Sequence, residues 1–78
     1  MALRQTFAAN LKRVRTQRGL SQEELAHLAD IDRTYVSHLE RDRYNPTLGM
    51  VERLAASLEV DPLELLKPVK VGKPSSPL

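Results

Sequence analysis

The stretch Ser21–Arg41, SQEELAHLADIDRTYVSHLER, decides the fold. Ser21 is followed three residues later by Glu24, the spacing of a capping box in which each side chain bonds the other residue's backbone N–H at a helix start. Leu20 and Leu25 bracket that start with the spacing of a hydrophobic staple. The helix so begun is short and ends near Asp30. After a turn at Ala29–Ile31 the same grammar recurs, with Asp32 as the cap and Ile31 and Val36 as the staple pair. The second helix runs to Arg41 and turns Val36, Leu39 and part of Tyr35 inward.

Two short helices joined by a tight turn at a steep angle make a helix-turn-helix, although generic helical hairpins share the pattern. The outer face of the second helix carries the difference. Arg33, Ser37 and Arg41 recur there at i, i+4 and i+8, with Thr34 and His38 beside them. A helix that only faces solvent is commonly dressed with Glu–Lys pairs and alanine, whereas these five positions hold no acid. All five side chains can hydrogen-bond to base edges or phosphates. Arg33 opens the helix, where the groove-reading residues of this motif project and where backbone amides can also bind a phosphate. An ordinary polar surface is the alternative reading of the same five residues.

On the N-terminal side, Leu3, Phe7, Leu11 and Val14 form one face of a helix from Leu3 to Arg18, with Gly19 as its left-handed terminator and Leu20 folding back. On the C-terminal side, Thr47 caps a fourth helix whose buried stripe is Leu48, Val51, Leu54, Ala55 and Leu58. Asp61 caps a fifth, with Pro62 in its first position, Glu64 closing the box and Val60–Leu65 as staple. No sustained alternation marks a strand. The expected architecture is all-α, a compact five-helix domain over residues 1–66. From Lys67 the segment KPVKVGKPSSPL holds three prolines, a glycine, two serines and three lysines, and reads as a flexible tail over 67–78.

The 78 residues allow one domain, and the absence of cysteine excludes disulfides and thiolate metal sites. The sequence has no glycine-rich phosphate loop and no His-x-x-x-His pair, and the adjacent Glu23 and Glu24 serve capping and charge rather than catalysis. A non-enzyme without metal or cofactor is expected. No apolar run reaches signal-peptide length or the ~20 residues of a membrane span, so a cytoplasmic location away from membranes is expected. The net charge of +2 is unevenly spread. Residues 1–18 carry Arg4, Lys12, Arg13, Arg15 and Arg18 without an acid, and residues 19–32 carry Glu23, Glu24, Asp30 and Asp32 without a lysine or arginine.

The stretch LKRVRTQRGLSQEELAHLADIDRTYVSHLERDRYNPTLGMVERLAASLEV resembles the helix-turn-helix family of the phage lambda and 434 repressors and Cro. Its segment DRTYVSHLERDRYNPT is similar to the controller proteins of bacterial restriction–modification systems. The likeness covers about residues 7–66 and rests on GLSQEELA, RTYVSHLER and NPTL. It implies a lambda-repressor-like domain, a transcriptional repressor or controller that binds double-stranded DNA as a homodimer on inverted repeats, with residues 32–41 in the major groove. By position it implies that Gln22 touches backbone phosphate, although Gln22 also reads as an exposed first-turn residue. Arg33, Thr34, Ser37 and His38 match groove-reading positions, with His38 equally readable as a bystander. Arg41, Arg43, Tyr44 and Asn45 match a loop that lies along the phosphates, and Tyr35 matches a tyrosine close to DNA. Arg15 and Glu40 match a structural ion pair.

One residue departs from the pattern. The family usually has glycine after the Glu-Arg pair, and here Asp42 stands there, a residue that tolerates the left-handed conformation less well and brings a carboxylate to the phosphate-facing loop. Late apolar positions not needed for the core, Val60, Leu63, Leu66 and Val69, are the candidates for a dimer seam. The domain has no room for an effector pocket, so no small-molecule ligand is expected. An antitoxin-type or other protein-interaction module of the same fold is the alternative reading.

Overall fold

The computed structural model describes residues 3–68. Among them are five α-helices and no strand: α1 (Leu3–Gln17), α2 (Gln22–Ala29), α3 (Arg33–Glu40), α4 (Leu48–Leu58) and α5 (Leu63–Leu66). No helix among the described residues is long and apolar enough to cross a membrane.

The ends of the helices are set by local chemistry. Gly19, at φ +72°, closes α1, with the Leu20 N–H returning to the Arg15 carbonyl at 3.1 Å. The capping box of α2 is complete: Ser21 Oγ accepts from the Glu24 N–H at 3.0 Å and Glu24 Oε1 from the Ser21 N–H at 2.8 Å. Asp30 ends α2 in the left-handed region, and the Ile31 N–H bonds to the Ala26 carbonyl at 2.9 Å. Thr47 caps α4 through the Met50 N–H at 3.0 Å. The turn at Gly19–Ser21 thus joins α1 to α2, and the turn at Asp30–Asp32 joins α2 to α3.

Every helix contributes to one core. Phe7, Leu11 and Val14 of α1 meet Leu25, Ala26 and Ala29 of α2, Val36 and Leu39 of α3, Val51, Leu54, Ala55 and Leu58 of α4, and Leu65 of α5. Burying a leucine or phenylalanine of this kind contributes about 1.5–3 kcal/mol. Leu20 and Ile31, the outer halves of the staples, pack against the core edge. The short α5 is seated by a polar anchor: the fully buried Asn10 donates from Nδ2 to the carbonyls of Leu65 at 3.0 Å and Lys67 at 2.7 Å.

Several expectations are corrected. Leu3 and Leu48, assigned to buried stripes, are 60% and 80% exposed; each lies in the first turn of its helix and lines a surface cleft instead of the core. Asp32 occupies the cap position of α3 but makes no side-chain cap bond. The cap position of α5 falls on Pro62, not Asp61, although Asp61 Oδ1 accepts from the Leu63 N–H at 2.9 Å, and Glu64 pairs with Lys67 at 3.0 Å instead of closing a box. Lys67, placed in the tail, is held to the fold by Asn10 and by its own N–H bond to the Leu63 carbonyl at 3.0 Å. From Val69 onward the expected tail lies outside the described residues.

Candidate nucleic-acid interface

The packing of α3 fixes what it presents. Val36 and Leu39 are buried, which turns Arg33, Thr34 and Arg41 to solvent and leaves Ser37 and His38 half-buried beside them. These five residues form a continuous row on one side of a helix about 12 Å long.

The loop after α3 lies against this row. Asp42 takes the left-handed position at φ +61°, and the Arg43 N–H returns to the His38 carbonyl at 2.9 Å, so the chain reverses despite the absence of glycine. The reversal brings the ring of Tyr44 to 4.8 Å from His38 and 5.8 Å from Tyr35, measured between centroids. Tyr35 and His38 are three apart on the helix and therefore share the face that receives the ring. His38 Nδ1 is enclosed without a hydrogen-bond partner. Arg43, Tyr44 and Asn45 are exposed next to the end of α3.

Beneath the row sits an ion-pair network. Arg15 donates from Nε to Glu40 Oε2 at 2.6 Å and from Nη2 to Oε1 at 3.0 Å, a bidentate pair with side chains only 10% and 3% exposed. Arg15 Nη1 donates to the Leu20 carbonyl at 2.7 Å, so the same guanidinium binds the α1–α2 turn. The hydrogen bond to Glu40, aided by the nearby negative charge and opposed by burial, raises the Arg15 pKa above its ordinary range. Gln22, expected at a phosphate or in solvent, is half-buried and donates from Nε2 to Glu40 Oε1 at 3.1 Å. This bond ties the start of α2 to the last turn of α3.

Sequence reasoning did not find Arg4, whose Nε lies 2.6 Å from Asp42 Oδ1 across 38 positions of chain. Nor did it find Arg18, which reaches the Glu59 carbonyl at 3.0 Å and its carboxylate at 3.6 Å. Neither pair leaves a local pattern. Asn10 did leave one, as a polar residue set into the stripe of Phe7, Leu11 and Val14.

The electrostatic outcome is specific. Glu40 and Asp42 are the only acids between Arg33 and Pro46, and each is paired with an arginine of α1. Among the described residues Arg33, Arg41 and Arg43 have no carboxylate partner and are exposed.

The helix-turn-helix family profile matches residues 11–65. This chain belongs to the helix-turn-helix family. Within it, a hypothetical transcription factor of Neisseria meningitidis serogroup B is 47% identical over 66 residues, covering 85% of this chain and 62% of that protein's length. A crystal structure of the Neisseria factor superposes with a TM-score of 0.83, covering 86% of this chain and 77% of that one. Control protein C.BamHI of Bacillus amyloliquefaciens is 34% identical over 71 residues, covering 90% and 88% of the two chains. The restriction-modification controller protein C.AhdI of Aeromonas hydrophila superposes with a TM-score of 0.77 at 42% identity, covering 80% and 94%. In this helix-turn-helix chain the paired helices are α2 and α3, and the likeness to controller proteins inferred from DRTYVSHLERDRYNPT holds along nearly the whole length of C.AhdI.

Proposed function

We propose that the chain is a sequence-specific transcriptional regulator that binds double-stranded DNA as a homodimer on an inverted repeat, with α3 in the major groove. The observation that carries this reading is the run of exposed, unpartnered arginines beside acids that are all neutralised from within. A surface of that kind attracts phosphates and gains affinity by releasing their counterions. The same family includes a control protein, C.BamHI, and the immunity repressor of Bacillus phage phi105, which supports a regulatory role.

Arg33, Thr34, Ser37 and His38 read base edges. Arg41, Arg43, Tyr44 and Asn45 hold the phosphate backbone and set register, Tyr35 lies close to it, and the remaining Gln22 amide hydrogen reaches phosphate at the start of α2. A single copy reads too few base pairs to specify a site, so two copies read half-sites about 34–36 Å apart, or a simple multiple. Leu63, 65% exposed, offers the seam between copies together with Val60 and Leu66, both half-buried at the core edge; Val69 lies outside the described residues.

The test is to recover bound duplexes from a random pool, footprint them, and compare two variants over a salt series. The expected footprint is a symmetric pair of half-sites. Arg33→Ala is expected to lose about 1–3 kcal/mol on the recovered site and little on a scrambled one. Arg43→Ala is expected to weaken both alike and to lower the salt slope by about one counterion per subunit. Equal loss of both duplexes by Arg33→Ala would remove α3 from the role of reader.

A further inference from the structure

Asp42 poses a problem for a phosphate-facing loop. It lies between Arg41 and Arg43, and a free carboxylate there repels the backbone that its neighbours attract. It also holds φ +61°, where glycine is at ease and aspartate is strained. The structure answers with Arg4, in the first turn of α1, whose Nε donates to Asp42 Oδ1 at 2.6 Å. Arg4 also lines a cleft of about 120 Å³ together with Asn45, Pro46 and Leu48, so the first turn of α1 and the far end of the loop face the same cleft.

We propose that Arg4 is a positioning residue of the DNA interface: it holds Asp42, silencing the one carboxylate in the loop and seating Arg41 and Arg43 toward phosphate. This rests on the reading of residues 41–45 as facing the backbone. Arg4 does not touch DNA; it acts through Asp42. The pair is partly exposed, 44% for Arg4 and 26% for Asp42, so its effect on folding is small and its effect on the local field is the larger one.

The experiment measures full-chain binding to a mixed-sequence duplex over a salt series, because the effect does not depend on base sequence. Arg4→Ala is expected to weaken binding about three- to tenfold at low salt and to flatten the salt dependence. Arg4→Lys is expected to retain most of the affinity. Asp42→Gly alone removes the carboxylate and suits the backbone, and it is expected to bind at least as tightly as the unaltered chain. In the Asp42→Gly background, Arg4→Ala is expected to have no effect on affinity or slope. An unchanged affinity for Arg4→Ala, or a deficit that persists with Asp42→Gly, would overturn the proposal. Arg43→Ala separates this from the underlying reading: if it binds as the unaltered chain does in both backgrounds, the loop does not face phosphate at all.

Discussion

Glu40→Ala tests the center of the fold. In the intact chain the Glu40 carboxylate accepts from Arg15 Nε at 2.6 Å, Arg15 Nη2 at 3.0 Å and Gln22 Nε2 at 3.1 Å. With the carboxylate gone, a buried guanidinium keeps only its bond to the Leu20 carbonyl and the Gln22 amide loses its acceptor. Breaking a buried pair from one side costs about 3–5 kcal/mol, since the remaining charge stays desolvated. At roughly 0.05–0.15 kcal/mol per residue, a domain of this size has about 3–10 kcal/mol in total. The substitution therefore removes between a third of the stability and all of it. For a domain of under 100 residues, 1 kcal/mol moves Tm by about 4–8 °C, so a fall of at least about 12 °C is expected. Glu40→Gln keeps one acceptor oxygen but turns an amide toward the arginine, and is expected to fall between the two.

The assay is urea unfolding followed by far-ultraviolet circular dichroism at fixed protein concentration, so that any self-association is held constant. The pH dependence adds a second check. Glu40 raises the Arg15 pKa, so the stability held by that charge is complete below the ordinary arginine range and is lost only as pH rises through the raised value. The contribution of Arg15 ionisation to the Glu40→Ala deficit is therefore flat from about pH 6 to 9. A variant with the same urea midpoint as the unaltered chain would refute the network as a source of stability.

Two further substitutions probe the helix ends. Asn10→Leu leaves the carbonyls of Leu65 and Lys67 without their donor and is expected to cost about 2–3 kcal/mol, read as a lower urea midpoint with faster amide exchange across α5. Glu59→Gly relieves a left-handed residue at φ +60° and gives up an exposed ion pair at 3.6 Å that is worth little, so a gain of about 0.5–1 kcal/mol and a higher Tm are expected in calorimetry.

Much of this fold was legible because its helices begin and end on short-range signals. The Ser21–Glu24 box, Gly19 and Thr47 act within a few residues of themselves, and all three stand in the structure as their spacing requires. Leu3 and Leu48 escaped the reading because helical periodicity tells which face a residue lies on, not how far the facing element extends. Both rim the cleft floored by Phe7 and Val51 instead of filling the core. Asp32 shows the same limit on a smaller scale: its residue type suits a cap, but nothing in the sequence obliges the side chain to turn back. The outer row of α3 was legible by elimination, since Val36 and Leu39 fix the inward face. Arg4 and Asp42 were not, because a contact between residues 38 apart leaves no mark until the chain is folded.

What α1 does for the rest of the molecule follows from where its arginines go. Arg4 reaches the left-handed residue just past α3, Arg15 the last turn of α3, and Arg18 the residue that caps the end of α4. Each places a cation where a helix presents its unsatisfied carbonyls and the negative end of its dipole, and two of the three offset an acid standing there in the left-handed position. The orientation of α3 is thus set largely from behind, by α1, by Gln22 of α2 and by the core. Among the described residues, Arg33, Thr34 and Arg41 make no side-chain hydrogen bond or ion pair that folding would miss. Substitutions at Arg33, Thr34 or Arg41 therefore change the outward surface at little cost in stability, whereas substitutions at Arg15 or Glu40 do not. The separation is physical: the residues that aim the helix and the residues that face outward from it are different residues.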